Sequence, residues 1–210
     1  TRYVIDGVTY TRETVSSFAD DVIVMQITAS KKGALSFETE YINKAAHTTS
    51  KKGNVFVVDG KGLDHEGIKG EVRYQIQTKI VNQDGKVEVT DNKISVSDAT
   101  VATIYISIGT SFVNYKSVDG DPAKIATERL VKAVKQNYKS SLKKHTAVYS
   151  KQFDRFKLNL GSVSNASEQT TTQRIIDFQK TQDPSLVTLL AQFGRYLLIS
   201  SSQPGGQAAN

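Results

Sequence analysis

PAKIATERLVKAVKQNYKSSLKKHTAVYSKQFDRF, residues 122–156, is the stretch on which the reading of this chain turns. Leu130, Val134, Tyr138, Leu142, His145, Tyr149, Phe153 and Phe156 recur every three or four positions, which lays them in one stripe along a helix. Asp121 is a good N-cap, and Pro122 suits the first helical position. An unbroken helix over the span would run roughly 50 Å at 1.5 Å per residue. Ser140-Ser141 has weak helix propensity, so the sequence allows either one helix or two with a bend at that pair. The stretch also carries the charge. Residues 122–157 hold ten Lys and Arg against two acids, Glu128 and Asp154, a net of +8. The whole chain is +6, so the remainder carries −2. An anionic partner such as nucleic acid is one reading of that charge. A solvated face opposite the apolar stripe is the plainer one, because the lysines are not interleaved with aromatics as a stacking platform requires.

The surrounding composition sets limits. A length of 210 residues fits one large domain or two small ones. A hydrophobic content of 38% is enough for a core, and 23% charge is ordinary for a soluble chain. No run approaches the ~18 apolar residues of a membrane span. The absence of cysteine excludes disulfides, thiolate metal sites and cysteine nucleophiles. Thr1-Arg2-Tyr3 opens directly into strand-like sequence without the pattern of a signal peptide. Either such a peptide has been removed, or the chain starts inside something larger.

Residues 1–115 alternate with period two between turn signals, the pattern of an antiparallel sandwich. Tyr3-Val4-Ile5, the turn pair Asp6-Gly7 and Val8-Thr9-Tyr10-Thr11 read as a hairpin. Further strands are expected at 22–27, 34–41, 55–58, 68–81, 86–89, 94–96 and 100–108. Residues 44–53 (KAAHTTSKKG) and 59–67 (DGKGLDHEG) read as loops. Past the helical stretch, Lys157-Leu158-Asn159-Leu160-Gly161 looks like a short returning strand, and 162–172 an exposed loop. Residues 174–180 read as a short helix, and Asp183-Pro184 caps another over 185–200. Gln203-Pro204-Gly205-Gly206 is read as a closing loop before residues 207–210.

Residue types and spacings nominate no catalytic, cofactor or metal site. His47, His65 and His145 share no ligand spacing. Asp64-His65-Glu66 is a bare loop triplet, more simply solvated surface than a metal corner. Asp59-Gly60-Lys61-Gly62 lacks the spacing of a phosphate loop and reads as a turn. Ser200-Ser201-Ser202 has no glycine elbow around a nucleophile. Acids are plentiful, but an acid–base pair cannot be chosen without geometry. Asn165-Ala166-Ser167 is an N-glycosylation sequon, informative only on a eukaryotic secretory route.

Three stretches in order resemble the N-terminal and early central part of glycoside hydrolase family 95, the α-L-fucosidases. The first is DGVTYTRETVSSFADDVIVMQITASKKGALSF, residues 6–37, with Tyr10-Thr11-Arg12-Glu13 ahead of the D-x-V-I-V and K-x-G-A-L-S-F strands. The second is residues 121–161, ending in Phe153-Asp154-Arg155, Leu158 and Leu160-Gly161. The third is residues 183–205, whose core Gln192-Phe193-Gly194-Arg195-Tyr196-Leu197-Leu198-Ile199-Ser200-Ser201-Ser202 is the most specific match. The resemblance implies a β-sandwich over 1–118 lacking its N-terminal part, a helical linker over 119–161, and the first helices of an (α/α)6 barrel over 162–210. It also implies a polypeptide that begins earlier, with a glycine-rich segment, and continues beyond Asn210, the asparagine of an N-L-Q-G motif.

The activity implied is inverting, exo-acting hydrolysis of terminal α-L-fucosyl residues, expected to be 1,2-linked, with no cofactor. The family's acid and water-positioning residues fall in the part of the barrel beyond this sequence, so no catalytic residue carries over. The implied partner is a fucosylated glycan or oligosaccharide, reached through the barrel, with no nucleic acid and no membrane span. The expected location is periplasmic or extracellular in a bacterium. This part would then be scaffolding, its linker stripe clamping sandwich to barrel through Tyr138, Tyr149 and Phe153. A sister α-L-galactosidase, or a β-sandwich interaction module without a barrel, are the alternatives. The apolar face of residues 186–199, which has no later partner in the sequence, argues against the module.

Overall fold

The computed structural model describes residues 1–162 and 165–204, the side chain of Ser167 aside. The chain divides into two compact units, Thr1–Thr146 and Ala147–Asn210.

Among the described residues the first unit holds ten strands: β1 (Arg2–Ile5), β2 (Val8–Ser17), β3 (Val22–Ala29), β4 (Leu35–Glu40), β5 (His47–Lys52), β6 (Val55–Lys61), β7 (Arg73–Gln83), β8 (Lys86–Val89), β9 (Lys93–Ala99) and β10 (Val101–Thr110). They form a seven-stranded sheet in the order β1-β2-β3-β10-β7-β6-β5 and a three-stranded sheet in the order β4-β9-β8, with antiparallel pairing throughout. The expected sandwich is therefore present. Its hairpins turn where the sequence marks them. Asp6-Gly7 takes positive φ at both residues in the β1–β2 hairpin, the geometry that matches the twist of its flanking strands. Asp84-Gly85, also positive at both, carries the chain from β7 of the large sheet to β8 of the small one.

Two cores follow from the alternation along β3 and β10. On one face Ile27, Ala29, Ala102 and Ile104 pack with Phe56, Val58 and Ile80 against Leu35, Ile94, Val96 and Ala99 of the small sheet. On the other, Val22, Val24 and Tyr105 join Val15 and meet Leu130 and Ala133 of α1 (Pro122–Ala133) and Tyr138 of α2 (Tyr138–Phe153). The central strands are thus covered on both sides, which is why β3 reads as a near-continuous apolar run. Gln77 of β7, buried under α1, donates to the Thr127 hydroxyl at 2.8 Å.

Several expectations are corrected. Residues 44–53 are not a loop throughout: β5 lies within them. As the sheet's last strand it pairs on one side only, and a solvated edge strand ending in Lys51-Lys52 shows no apolar face. Asp59, Gly60 and Lys61 belong to β6, where Gly60 leaves room for the Tyr74 ring. Residues 68–72 precede β7 rather than starting it. Residues 157–161 form no strand; the Phe156 carbonyl just before them accepts instead from the Arg195 guanidinium.

The 122–156 stretch is two helices, and the break is at 134–137, not at Ser140-Ser141. Asp121 caps α1 through the Lys124 N–H, as its sequence predicts. The break is set by tertiary contacts. The Tyr105 hydroxyl donates to the Gln136 carbonyl at 2.6 Å, and the Gln136 amide donates to Asp20 at 3.1 Å. Asn137 then restarts the helix by accepting from the Ser140 N–H. Ser141, fully buried, is small enough for close packing. Burial pushes the Tyr105 phenol above its usual value. Tyr105→Phe should cost about 1–2 kcal/mol, since it removes a part-buried hydrogen bond to the Gln136 carbonyl; urea unfolding followed by tyrosine fluorescence measures it.

In the second unit the described elements are the end of α2, a 3-10 turn at Ala166–Glu168, α3 (Thr171–Thr181) and α4 (Pro184–Ser201). Thr170 caps α3 by accepting from the Gln173 N–H. The closing-loop residues Gly205 to Asn210, including the asparagine matched to N-L-Q-G, lie outside the described residues.

Candidate functional site

The residues singled out by chemistry are scattered. His47 opens β5 with its ring edge-on to Tyr41, 5.0 Å between centroids. His65 is exposed in a tight turn, 3.8 Å from Glu66. His145, on α2, accepts from the Phe18 N–H at 3.4 Å, and burial lowers its pKa. Asp64 accepts from the Gly70 N–H, and Asp59 from Gln75, so both serve their own hairpin. Ser201 donates back to the Leu197 carbonyl at 2.6 Å, the role of a helix-end serine rather than a nucleophile. Asn165 takes a left-handed conformation at φ 64. Among the described residues no three His, Cys, Asp or Glu converge to hold a metal, and no helix is long and apolar enough to cross a membrane.

The surface with a function to explain is on α3 and α4. Asp183, 1% exposed, is the N-cap of α4 and accepts from the Ser185 and Leu186 N–H groups. Arg174 of α3 closes on the same carboxylate, Nε to Oδ2 at 2.9 Å, and donates to the Ser185 hydroxyl at 2.6 Å. Arg195 of α4 reaches the Phe153 carbonyl at 2.8 Å, at the end of α2, and lies over the Phe153 and Phe156 rings. Tyr149 stacks on Phe153 beside it and meets Tyr196 in a tilted contact. Polar anchors thus hold the helices together while much of their apolar surface stays outside. Leu190 is 69% exposed, and Ile176, Ile175 and Leu198 are 60% or more. Between α3 and α4 lies an open groove of about 410 Å³, lined by Thr171, Ile175, Leu186, Leu189, Leu190 and Phe193.

The Asp183-Pro184 cap is legible in the sequence. Arg174 is not, since nothing marks a residue nine positions earlier on another helix as its partner. The Ser185 hydroxyl, the Arg174 guanidinium and the Leu186 N–H hold the Asp183 carboxyl below its ordinary 3.8. A carboxyl depressed in the folded state stabilises above its unfolded value and loses that contribution as pH falls through its folded value. The α3–α4 junction should therefore be unaffected near neutrality and open in acid, below about 3.8. Amide exchange at Leu186 checks this, and Asp183→Asn should remove the acid step while opening the junction at neutral pH.

Residues 1–115 match the model described as glycosyl hydrolase family 65, N-terminal domain. Residues 137–210 match the glycosyl hydrolase family 95 catalytic domain. Alpha-L-fucosidase 2 of Arabidopsis thaliana is 33% identical over 238 residues, covering 99% of this chain and 28% of that protein. Probable alpha-fucosidase A of Aspergillus niger is 26% identical over 125 residues, 60% of this chain and 16% of that protein. The chain spans little more than a quarter of the Arabidopsis relative and less of the Aspergillus one. The chain belongs, over residues 1–115, to the glycosyl hydrolase family 65 N-terminal domain family, and from residue 137 onward it matches part of the family 95 catalytic domain.

Proposed function

We propose that this chain is part of an inverting, exo-acting α-L-fucosidase that releases terminal, 1,2-linked α-L-fucosyl residues from glycans. The alignment of nearly the whole chain with a protein named alpha-L-fucosidase supports the fucosidase part of the reading. The observation that carries this chain's own role is the uncovered apolar surface of α3 and α4, with its open groove. Such surface on a soluble chain marks a partner. The partner proposed is the rest of the catalytic domain, an (α/α)6 barrel whose first helices these are. The proposed division is sandwich over 1–118, linker over 119–161 and barrel from 162.

The catalytic carboxylate and its water-activating counterpart belong to the later barrel, held roughly 6.5–9.5 Å apart as inversion requires. No residue of this chain is assigned to the chemistry. Its contribution is to hold the helices that begin the barrel. The parent's proposed place is the bacterial periplasm or exterior, where terminal fucosyl groups on glycans are accessible. The test is hydrolysis by the full-length parent of matched α-L-fucosyl and α-L-galactosyl substrates. Preference for the fucoside, with the β-anomer released first, is expected. Preference for the galactoside would overturn the specificity, and activity on neither would overturn the reading.

A further inference from the structure

Strand β1 covers only the first half of β2. Pairing runs from Ile5 opposite Val8 to Arg2 opposite Thr11. Thr1 carries it one step further: its amine donates to the Arg12 carbonyl at 2.8 Å, and the Arg12 N–H donates back to the Thr1 carbonyl at 2.8 Å. There β1 stops, but β2 continues, paired with β3 on its inner side as far as Ser17 opposite Val22. Beside residues 13–17 the outer side of β2 has no strand among the described residues.

The open edge can be assigned atom by atom. In an antiparallel ladder alternate residues direct their N–H and C=O to opposite sides. The Ser30 N–H donates to the Thr9 carbonyl, so odd residues of β2 face β3, and the exchange at Arg12 puts even residues on the β1 side. Thr14 and Ser16, both exposed, therefore aim their backbone groups at the empty slot. The slot lies in line with the chain's first residue, so a strand arriving from elsewhere would have to abut Thr1 end-on.

We propose that the parent polypeptide immediately before Thr1 continues β1 as an antiparallel strand beside residues 13–17. This rests on the reading that the chain is part of a longer protein, as the 28% coverage of the Arabidopsis relative supports. Continuity with the existing pairing fixes the register. Each step back from Thr1 moves one step forward from Arg12, so the first residue before Thr1 stands opposite Glu13 and the fifth opposite Ser17. The third and fifth share the face of Val15 and Ser17, both buried, where Val15 packs with Tyr138. The new strand would close an open sheet edge, a surface that folded proteins cover or blunt.

The test uses the chain with the residues its own gene encodes before Thr1 restored, compared with the 210-residue chain. Amide exchange at Thr14 and Ser16 should slow by at least about tenfold in the extended chain. The protein has no cysteine, so a cross-link is unambiguous. Cysteine at the position preceding Thr1 should form a disulfide with Glu13→Cys, a directly opposed, non-hydrogen-bonded pair. Unchanged exchange, a cross-link with Thr14→Cys in preference, or a gene with no such residues would each overturn the proposal. These readouts are independent of fucoside hydrolysis, so the failure of one reading is distinguishable from failure of the other.

Discussion

Leu130→Ala should destabilise the first unit by about 2–5 kcal/mol. Leu130 is 3% exposed and sits where α1 meets the helix-side face of the large sheet, among Val15, Val22, Val24 and Tyr105. Truncation removes the buried methyl groups and leaves a cavity that strands on one side and a helix on the other cannot easily close. Most single substitutions cost far less. The chain has no tryptophan, so urea titration would follow its nine tyrosines by fluorescence alongside far-ultraviolet circular dichroism. The neighbouring Val131, 50% exposed, is the control and should tolerate alanine within about 0.5 kcal/mol.

Gly109→Ala should cost about 3 kcal/mol, by overpacking rather than by a cavity. A methyl group built on Gly109 runs into the Pro122 carbonyl, with the Ala126 N–H close behind. Both are backbone of α1's first turns, which cannot rotate away as a side chain would. The helix would have to lift from β10, loosening the packing that buries Leu130 and Ala126. Gly7→Ala is the comparison without a clash. Gly7 has φ +75 but nothing within 4 Å, so only the backbone penalty of about 1 kcal/mol applies. A larger loss of stability at Gly109 than at Gly7 in the same titration is the expected outcome; no loss at Gly109 would mean that α1 gives way without cost.

Much of this fold is legible where local chemistry acts alone. Asp6-Gly7 and Asp84-Gly85 turn because their residues tolerate positive φ, and Asp121 and Asp183 start helices because their carboxylates accept from the next free N–H groups. Legibility fails where a distant contact decides. Ser140-Ser141 looks the weakest point of the long helix, yet Tyr105, more than thirty residues away, claims the Gln136 carbonyl and breaks it earlier. Strand β5 escapes a sequence reading because an edge strand with solvated sides has no apolar period to show. The Arg174–Asp183 pair escapes it because two polar residues become partners only when α3 folds back beside α4. The open edge of β2 depends on where a neighbouring strand stops, which no periodicity encodes. The family resemblance itself rests on motif order, and assigns no catalytic residue to this chain.

The central claim is that this chain supports a glycosidase whose reacting groups lie elsewhere in the same polypeptide. The most direct measurement is the release of L-fucose from a 2-linked fucosyl oligosaccharide, followed by proton NMR, with the purified 210-residue chain beside the full-length parent. The account predicts rapid release by the parent, the β-anomer appearing first, and none above background by the 210-residue chain. Turnover by the 210-residue chain alone would contradict it.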